Sequence, residues 1–255
     1  MPDKRLPTDE VIINANEQGV TRMLLIGGSV EQSKQAIQLS QTHIDTFSTT
    51  VGVHPHCAKD AGDYFIDELR QLATNYHVVA IGECGLDFNR NFSPADIQLQ
   101  VFEQQLQLAG ELGLPVYLHE RDAFDQQIDL LTQYSDKLNG GVVHCFTGGK
   151  EQAEAYLQLG FFIGITGWVC DPKRGESLRD ALSVIPLDRI LLETDAPYLM
   201  PKTLKTKSRN NQPANLPHIA QAVAQLKNID INILQQHCWQ NSITLFPMEP
   251  ACAVG

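Results

Sequence analysis

The chain has 255 residues, 43% of them hydrophobic and 19% charged, which excludes disordered and fibrous classes. Nineteen Lys and Arg stand against 30 Asp and Glu, and the net charge of -11 excludes a protein that coats nucleic acid by bulk charge. No apolar run approaches the roughly 18 residues of a membrane span, and MPDKRLPTDE lacks the apolar stretch of a secretory signal. A cytoplasmic protein with no membrane partner is therefore expected. Its six cysteines, at 57, 84, 145, 170, 238 and 252, show no C-x-x-C spacing and are expected to stay reduced. Cys84 and Cys145 lie in strand-like runs and read as small core residues.

The first predicted element is a helix over Thr8–Gln18, with Thr8 as N-cap, Asp9 and Glu10 in the first turn and Gly19 as its stop. Short β-branched runs then recur at 23–28, 48–54, 78–83, 115–119, 140–145, 161–166 and 190–195. Their near-continuous apolar character marks strands buried on both faces of a parallel sheet. Between them lie amphipathic stretches such as Pro94–Leu112, with Ser93 as N-cap and Gly113 as C-cap. Strand–helix alternation means α/β architecture, either a doubly wound sheet or a (β/α)8 barrel. No linker or low-complexity segment divides the chain, so one domain over 1–255 is expected. A barrel needs eight strands and seven are read. Residues 1–20 would then be an atypical start, a helix without its preceding strand, as though the first strand were missing.

Ionisable residues gather at the C-terminal ends of these strands: His54, Glu83 and Asp87, His119, His144, and Asp195. In a barrel those ends converge on one face. Glu83, His119, His144 and Asp195 together suit a divalent metal such as Zn, Mn or Mg, being imidazoles and carboxylates without thiolate. Burying such a set without an ion would leave charges in need of pairing.

GVHPH (52–56), GECGLDF (82–88), LHERDA (118–123), VHCFTG (143–148), GITGWVCD (164–171) and ETDAPYL (193–199) form an ordered set that resembles the TatD family of metal-dependent deoxyribonucleases. The resemblance runs from about residue 10 onward. It implies a TIM-like (β/α)8 barrel of the amidohydrolase type, with MLLIGG as the second strand and ETDAP on the eighth. It implies phosphodiester hydrolysis, as a 3′-to-5′ exonuclease on single-stranded DNA and RNA, and a place in DNA repair. The cofactor implied is one or two divalent ions, Mg2+ first and Mn2+ or Zn2+ as alternatives, in a monomeric enzyme. The roles implied make Glu83 a bridging ligand, His119 and His144 terminal ligands, and Asp195 both ligand and general base, with Glu193 orienting a ligand from behind. His54, His56 and Arg121 are candidate phosphate binders, although Arg121 could equally pair with Asp122.

From Ala196 through Ile229 there is no acidic residue, while Lys202, Lys205, Lys207, Arg209 and Lys227 supply five cations. The first four are read as a phosphate-binding loop. Trp168, with Lys173 and Arg174 nearby, could stack a base or sit in the core. Two rival readings share the scaffold: a small-molecule amidohydrolase, and an inactive binding protein whose metal centre lacks its first strand.

Overall fold

A computed structural model describes residues 6–247. Helix α1 (Thr8–Glu17) precedes strand β1 (Met23–Leu25), and elements then alternate as α2 (Val30–Thr42), β2 (Phe47–Val51), α3 (Phe65–Leu72), β3 (Val78–Asp87), α4 (Ala95–Leu112), β4 (Val116–Arg121), α5 (Phe124–Tyr134), β5 (Gly141–Val143), α6 (Lys150–Gln158), β6 (Phe162–Ile165), α7 (Glu176–Ala181) and β7 (Ile190–Leu192). Helices α8 (Leu216–Lys227) and α9 (Ile231–Leu245) follow. All seven expected strands are present, and among the described residues the first element is the expected helix.

The chain forms two compact units. One takes Leu24–His144 with Gln158–Phe161 and residues 243–247. Here the strands lie in chain order, and β2, β3, β4 and β5 pair in parallel. Their apolar residues are the core: Val51, Ile81, Cys84, Leu86, Val116, Leu118 and Val142 are essentially inaccessible. Phe102, Leu106 and Ala109 of α4 cover that sheet at three- and four-residue spacing, as one face of a helix must. The other unit takes residues 6–23, Cys145–Leu157 and Phe162–Ser242. It contains the parallel pair β6 and β7, packed with Leu178, Ile219, Val223 and Leu234.

Local details depart from the sequence reading in ways that matter for the site. Helix α1 begins at Thr8 itself, with Pro7 rather than Thr8 at the cap. Helix α4 is likewise preceded by Pro94, with no side-chain cap. Ser93, expected to cap it, instead donates to the His56 carbonyl and accepts from Lys59 N–H, 3.1 Å each. The Gly113 C-cap is as expected, at φ 66°. Cys145 lies beyond the end of β5 in a left-handed turn (φ 45°), not inside a strand. All five cysteines among the described residues are free thiols, and Cys252 lies outside them.

Candidate metal centre

The first unit described holds a cluster of five ionisable side chains. Strand β3 runs on beyond its apolar start to Asp87, because its pairing with β4 is broken and resumed. Gly82 pairs with Tyr117 and Cys84 with Leu118, so Glu83 is the extra residue of a bulge, a device that re-aims a side chain. Glu83 N–H donates to the Gly27 carbonyl at 2.7 Å, which anchors the bulge to the loop after β1. Beyond it, Gly85 (φ 135°) runs so close to β4 that any Cβ would collide with the His119 carbonyl oxygen.

Glu83 Oε1 lies 3.0 Å from His119 Nδ1 and 3.4 Å from His54 Nε2. Asp87 Oδ2 lies 3.3 Å from His119 Nε2 and 2.7 Å from His56 Nε2. Each imidazole therefore has an assignable role. His54 Nδ1 accepts the His56 N–H at 3.0 Å, which leaves Nε2 as the protonated nitrogen of the neutral ring. Buried Asp87 accepts from His119 Nε2, which turns the Nδ1 edge of the ring toward Glu83. A carboxylate behind an imidazole in this way is what metal-ligating histidines commonly have. His144, at the end of β5, holds Nδ1 2.6 Å from the Tyr117 hydroxyl, which fixes its ring in the same fashion.

Electrostatics agree with an ionised, donor-rich pocket. Burial alone would raise the Glu83 carboxyl, but hydrogen bonds with His119 and His54 outweigh it and hold the group well below the usual carboxylate range. Asp87 is lowered by His119, by the Arg90 N–H and by His56, again against burial. His119 is driven down by burial and up by Asp87 and Glu83, which win and raise it to about 9. Burial dominates at His54 and lowers it. Oxygen and nitrogen donors of His54, Glu83 and His119 lie within 4.8 Å of one another, close enough for one ion. The donor set fits a divalent cation: an ionised carboxylate faces an imidazole nitrogen, and a bound ion would displace the proton that the two share. His54, committed at Nδ1 as an acceptor, is better suited to donate from Nε2.

Arg121 Nε is 3.9 Å from Asp122, and Asp122 also accepts from Asn89. Sequence reasoning did not give Asp87 a role, although it stands four residues after Glu83 on the same strand. It also passed over the glutamines that hold this pocket from behind. Gln105 accepts from Val53 N–H and donates to the Val53 carbonyl, just before His54. Gln98 does the same to Asp87.

In the other unit Asp195 has a left-handed backbone (φ 54°), and buried Asn211 staples its loop. Asn211 Nδ2 donates to the Thr194 and Leu199 carbonyls, and its N–H to the Pro197 carbonyl. Glu193 accepts from Cys145 N–H at 2.9 Å. Lys202, Lys205, Lys207 and Arg209 are exposed. Lys227 is not among the surface cations of that segment, because its ammonium donates to the Leu182 and Ile185 carbonyls at 2.6 and 2.8 Å. Trp168 is half-buried, with its indole N–H bonded to the Arg174 carbonyl and the Arg174 guanidinium 4.2 Å over its ring.

Parallel α/β units carrying carboxylates and imidazoles at strand ends define a metal-dependent hydrolase of the TIM-barrel type. Residues 3–247 match the family of TatD related DNases, and the chain belongs to that family. It is 49% identical over 241 residues to the 3'-5' ssDNA/RNA exonuclease TatD of Rahnella sp. (strain Y9602), covering 94% of this chain and 92% of that protein. Its namesake from Cronobacter sakazakii (strain ATCC BAA-894) is 49% identical over 240 residues, covering 93% of this chain and 91% of the relative. Among solved structures, a TatD homolog from Escherichia coli k12 superposes with TM-score 0.86 at 29% identity, covering 93% of this chain and 91% of that one. A hydrolase TatD family protein from Entamoeba histolytica gives 0.85 at 28%, covering 94% and 89%. The barrel, one of the two architectures that the strand–helix alternation allows and the one that the resemblance implies, is the class of these neighbours.

Proposed function

We propose that this protein is a metal-dependent nuclease that hydrolyses phosphodiester bonds of single-stranded DNA and RNA from the 3′ end. The observation that carries the reading is the opposed pair Glu83 and His119, with Asp87 behind the imidazole, in a chain of this family. The relatives from Rahnella and Cronobacter bear the name of that exonuclease activity.

Glu83, His119 and His144 would hold the metal, and the sequence adds Asp195 as ligand and proton acceptor for the attacking water. A bound divalent ion supplies a polarised phosphate oxygen and a more acidic water. The chain's own groups do the rest. Asp87 and Tyr117 keep the His119 and His144 rings in register. His54 offers its Nε2 proton to a phosphate oxygen, and His56 and Arg121 bind the same anionic chain. Glu193 orients a ligand through the Cys145 backbone. Magnesium as working ion, a monomeric state and a cytoplasmic place in DNA repair belong to this reading on the family resemblance alone.

The test is a 5′-labelled single-stranded oligonucleotide with Mg2+, Mn2+ or Zn2+ added to metal-stripped protein. A ladder of progressively shorter labelled products, abolished by EDTA, is the expected result. Intact DNA alongside rapid turnover of a lactone or cyclic amide would overturn the reading in favour of an amidohydrolase.

A further inference from the structure

Phe92 is 55% exposed, although its loop is tied down on both sides within the unit that carries Glu83 and His119. Ser93, next in sequence, is inaccessible to solvent and bonded to both the His56 carbonyl and Lys59 N–H. On the other side, Arg90 N–H donates to Asp87 at 2.7 Å and Asn91 Nδ2 to the Phe88 carbonyl at 2.7 Å. A large apolar ring is thus held out in water by a braced loop. The ring it meets is His56, edge-on at 4.7 Å between centroids and 72° between planes. His56 is fixed in turn by Asp87, the carboxylate that also orients His119. The His56 ring also touches the His54 ring, at 4.4 Å. Two ring contacts therefore lead from His54, whose Nε2 lies 3.4 Å from Glu83, to an exposed aromatic, with exposed Arg90 two residues before it.

We infer that Phe92 is the platform on which the 3′-terminal nucleobase of the substrate strand stacks, with His56 bracing its edge; this rests on the nuclease reading above. Single-stranded nucleic acid is held without sequence preference by aromatic faces beside cations, since every base presents a π-face. An exposed single phenylalanine has no such meaning by itself. What gives it meaning is a pre-ordered ring, coupled through one carboxylate to the reacting site, so that little entropy is lost when a base settles on it.

The experiment compares Phe92→Ala, Phe92→Leu and Phe92→Trp with the wild type on two oligonucleotides, one ending in an ordinary 3′ nucleotide and one in an abasic 3′ nucleotide. A stacked base contributes about 1–3 kcal/mol, so Phe92→Ala should raise KM on the ordinary end by roughly fivefold to 150-fold. Phe92→Leu should resemble Phe92→Ala, Phe92→Trp should resemble the wild type, and all four proteins should be alike on the abasic end. In parallel, a 3′-terminal 2-aminopurine should lose fluorescence on binding wild type and Phe92→Trp, without metal, and keep it with Phe92→Ala. Unchanged KM and quenching in Phe92→Ala, or equal losses on both ends, overturn the inference while leaving the nuclease reading intact. Failure of the nuclease reading looks different: the wild type shortens neither oligonucleotide, and the inference falls with it.

Discussion

Gly164 shows how a residue without a side chain can control one with a charge. A Cβ there would lie 2.5–2.7 Å from the carboxyl atoms of Glu193, so the carboxylate occupies space that only glycine leaves open. That carboxylate accepts from Cys145 N–H and so holds a left-handed turn that a cysteine does not favour by itself. Gly164→Ala should displace Glu193, and a partly buried N–H losing this acceptor costs roughly 1–3 kcal/mol. Chemical denaturation should show the midpoint falling with the m-value unchanged; an unshifted midpoint would mean the Glu193 hydrogen bond contributes nothing. None of this is legible in the sequence, where Gly164, Glu193 and Cys145 are ordinary members of three separated motifs. The same holds for Asp87. Its value to His119 and His56 comes from partners 32 and 31 residues away in the chain, which periodicity does not report. Glu83, His119 and His144 can be singled out because they stand where apolar runs stop.

At the scale of elements, helix α4 does more than cover the sheet. Gln98 and Gln105 are buried on its inner face and lay their amides along the backbones of Asp87 and Val53. Val53 lies beyond the end of β2, and Asp87 is the last residue of β3, so the helix supplies hydrogen bonds that a further neighbouring strand would otherwise give. Gln105→Met keeps length and volume but strands Val53 N–H and C=O, at about 1–3 kcal/mol for each unpaired group. Gln107→Met, on the exposed side of α4, should be nearly neutral and Gln105→Glu intermediate; equal melting curves for all three would refute the clamp. The apolar face of α4 is readable because Phe102, Leu106 and Ala109 repeat with the helix period. Its glutamines are not, because a polar residue on an apolar face gives no sign of which backbone it will meet. The strand runs are readable because they are short and almost continuously apolar. The bulge at Glu83 is not, since it depends on register against Tyr117 and Leu118. Ser93 reads as a cap because the cap pattern is local, whereas its hydroxyl is used by the 54–60 turn.

On the scale of the whole molecule, the net charge of -11 repels a polyanion, yet the family acts on one. The arrangement of charge resolves the tension: residues 196–229 hold no acid, and Lys202, Lys205, Lys207 and Arg209 are all exposed there. Phosphates bound by such a loop release counterions, and each contributes about 0.7 to the slope of log affinity against log salt for a single strand. Changing all four to Gln should flatten that slope by about 0.7 for each phosphate no longer neutralised, and weaken binding most at low salt. The control changes four exposed glutamines elsewhere, Gln35, Gln71, Gln107 and Gln133, to Glu, which makes net charge more negative by the same amount. Were bulk charge decisive, the two variants would bind a fluorescent oligonucleotide alike. A local loop predicts that the control keeps the wild-type slope, because its substitutions leave every cation that pairs with a phosphate in place. Slopes that coincide for both variants would remove the loop from the binding surface and leave phosphate recognition to His54, His56 and Arg121.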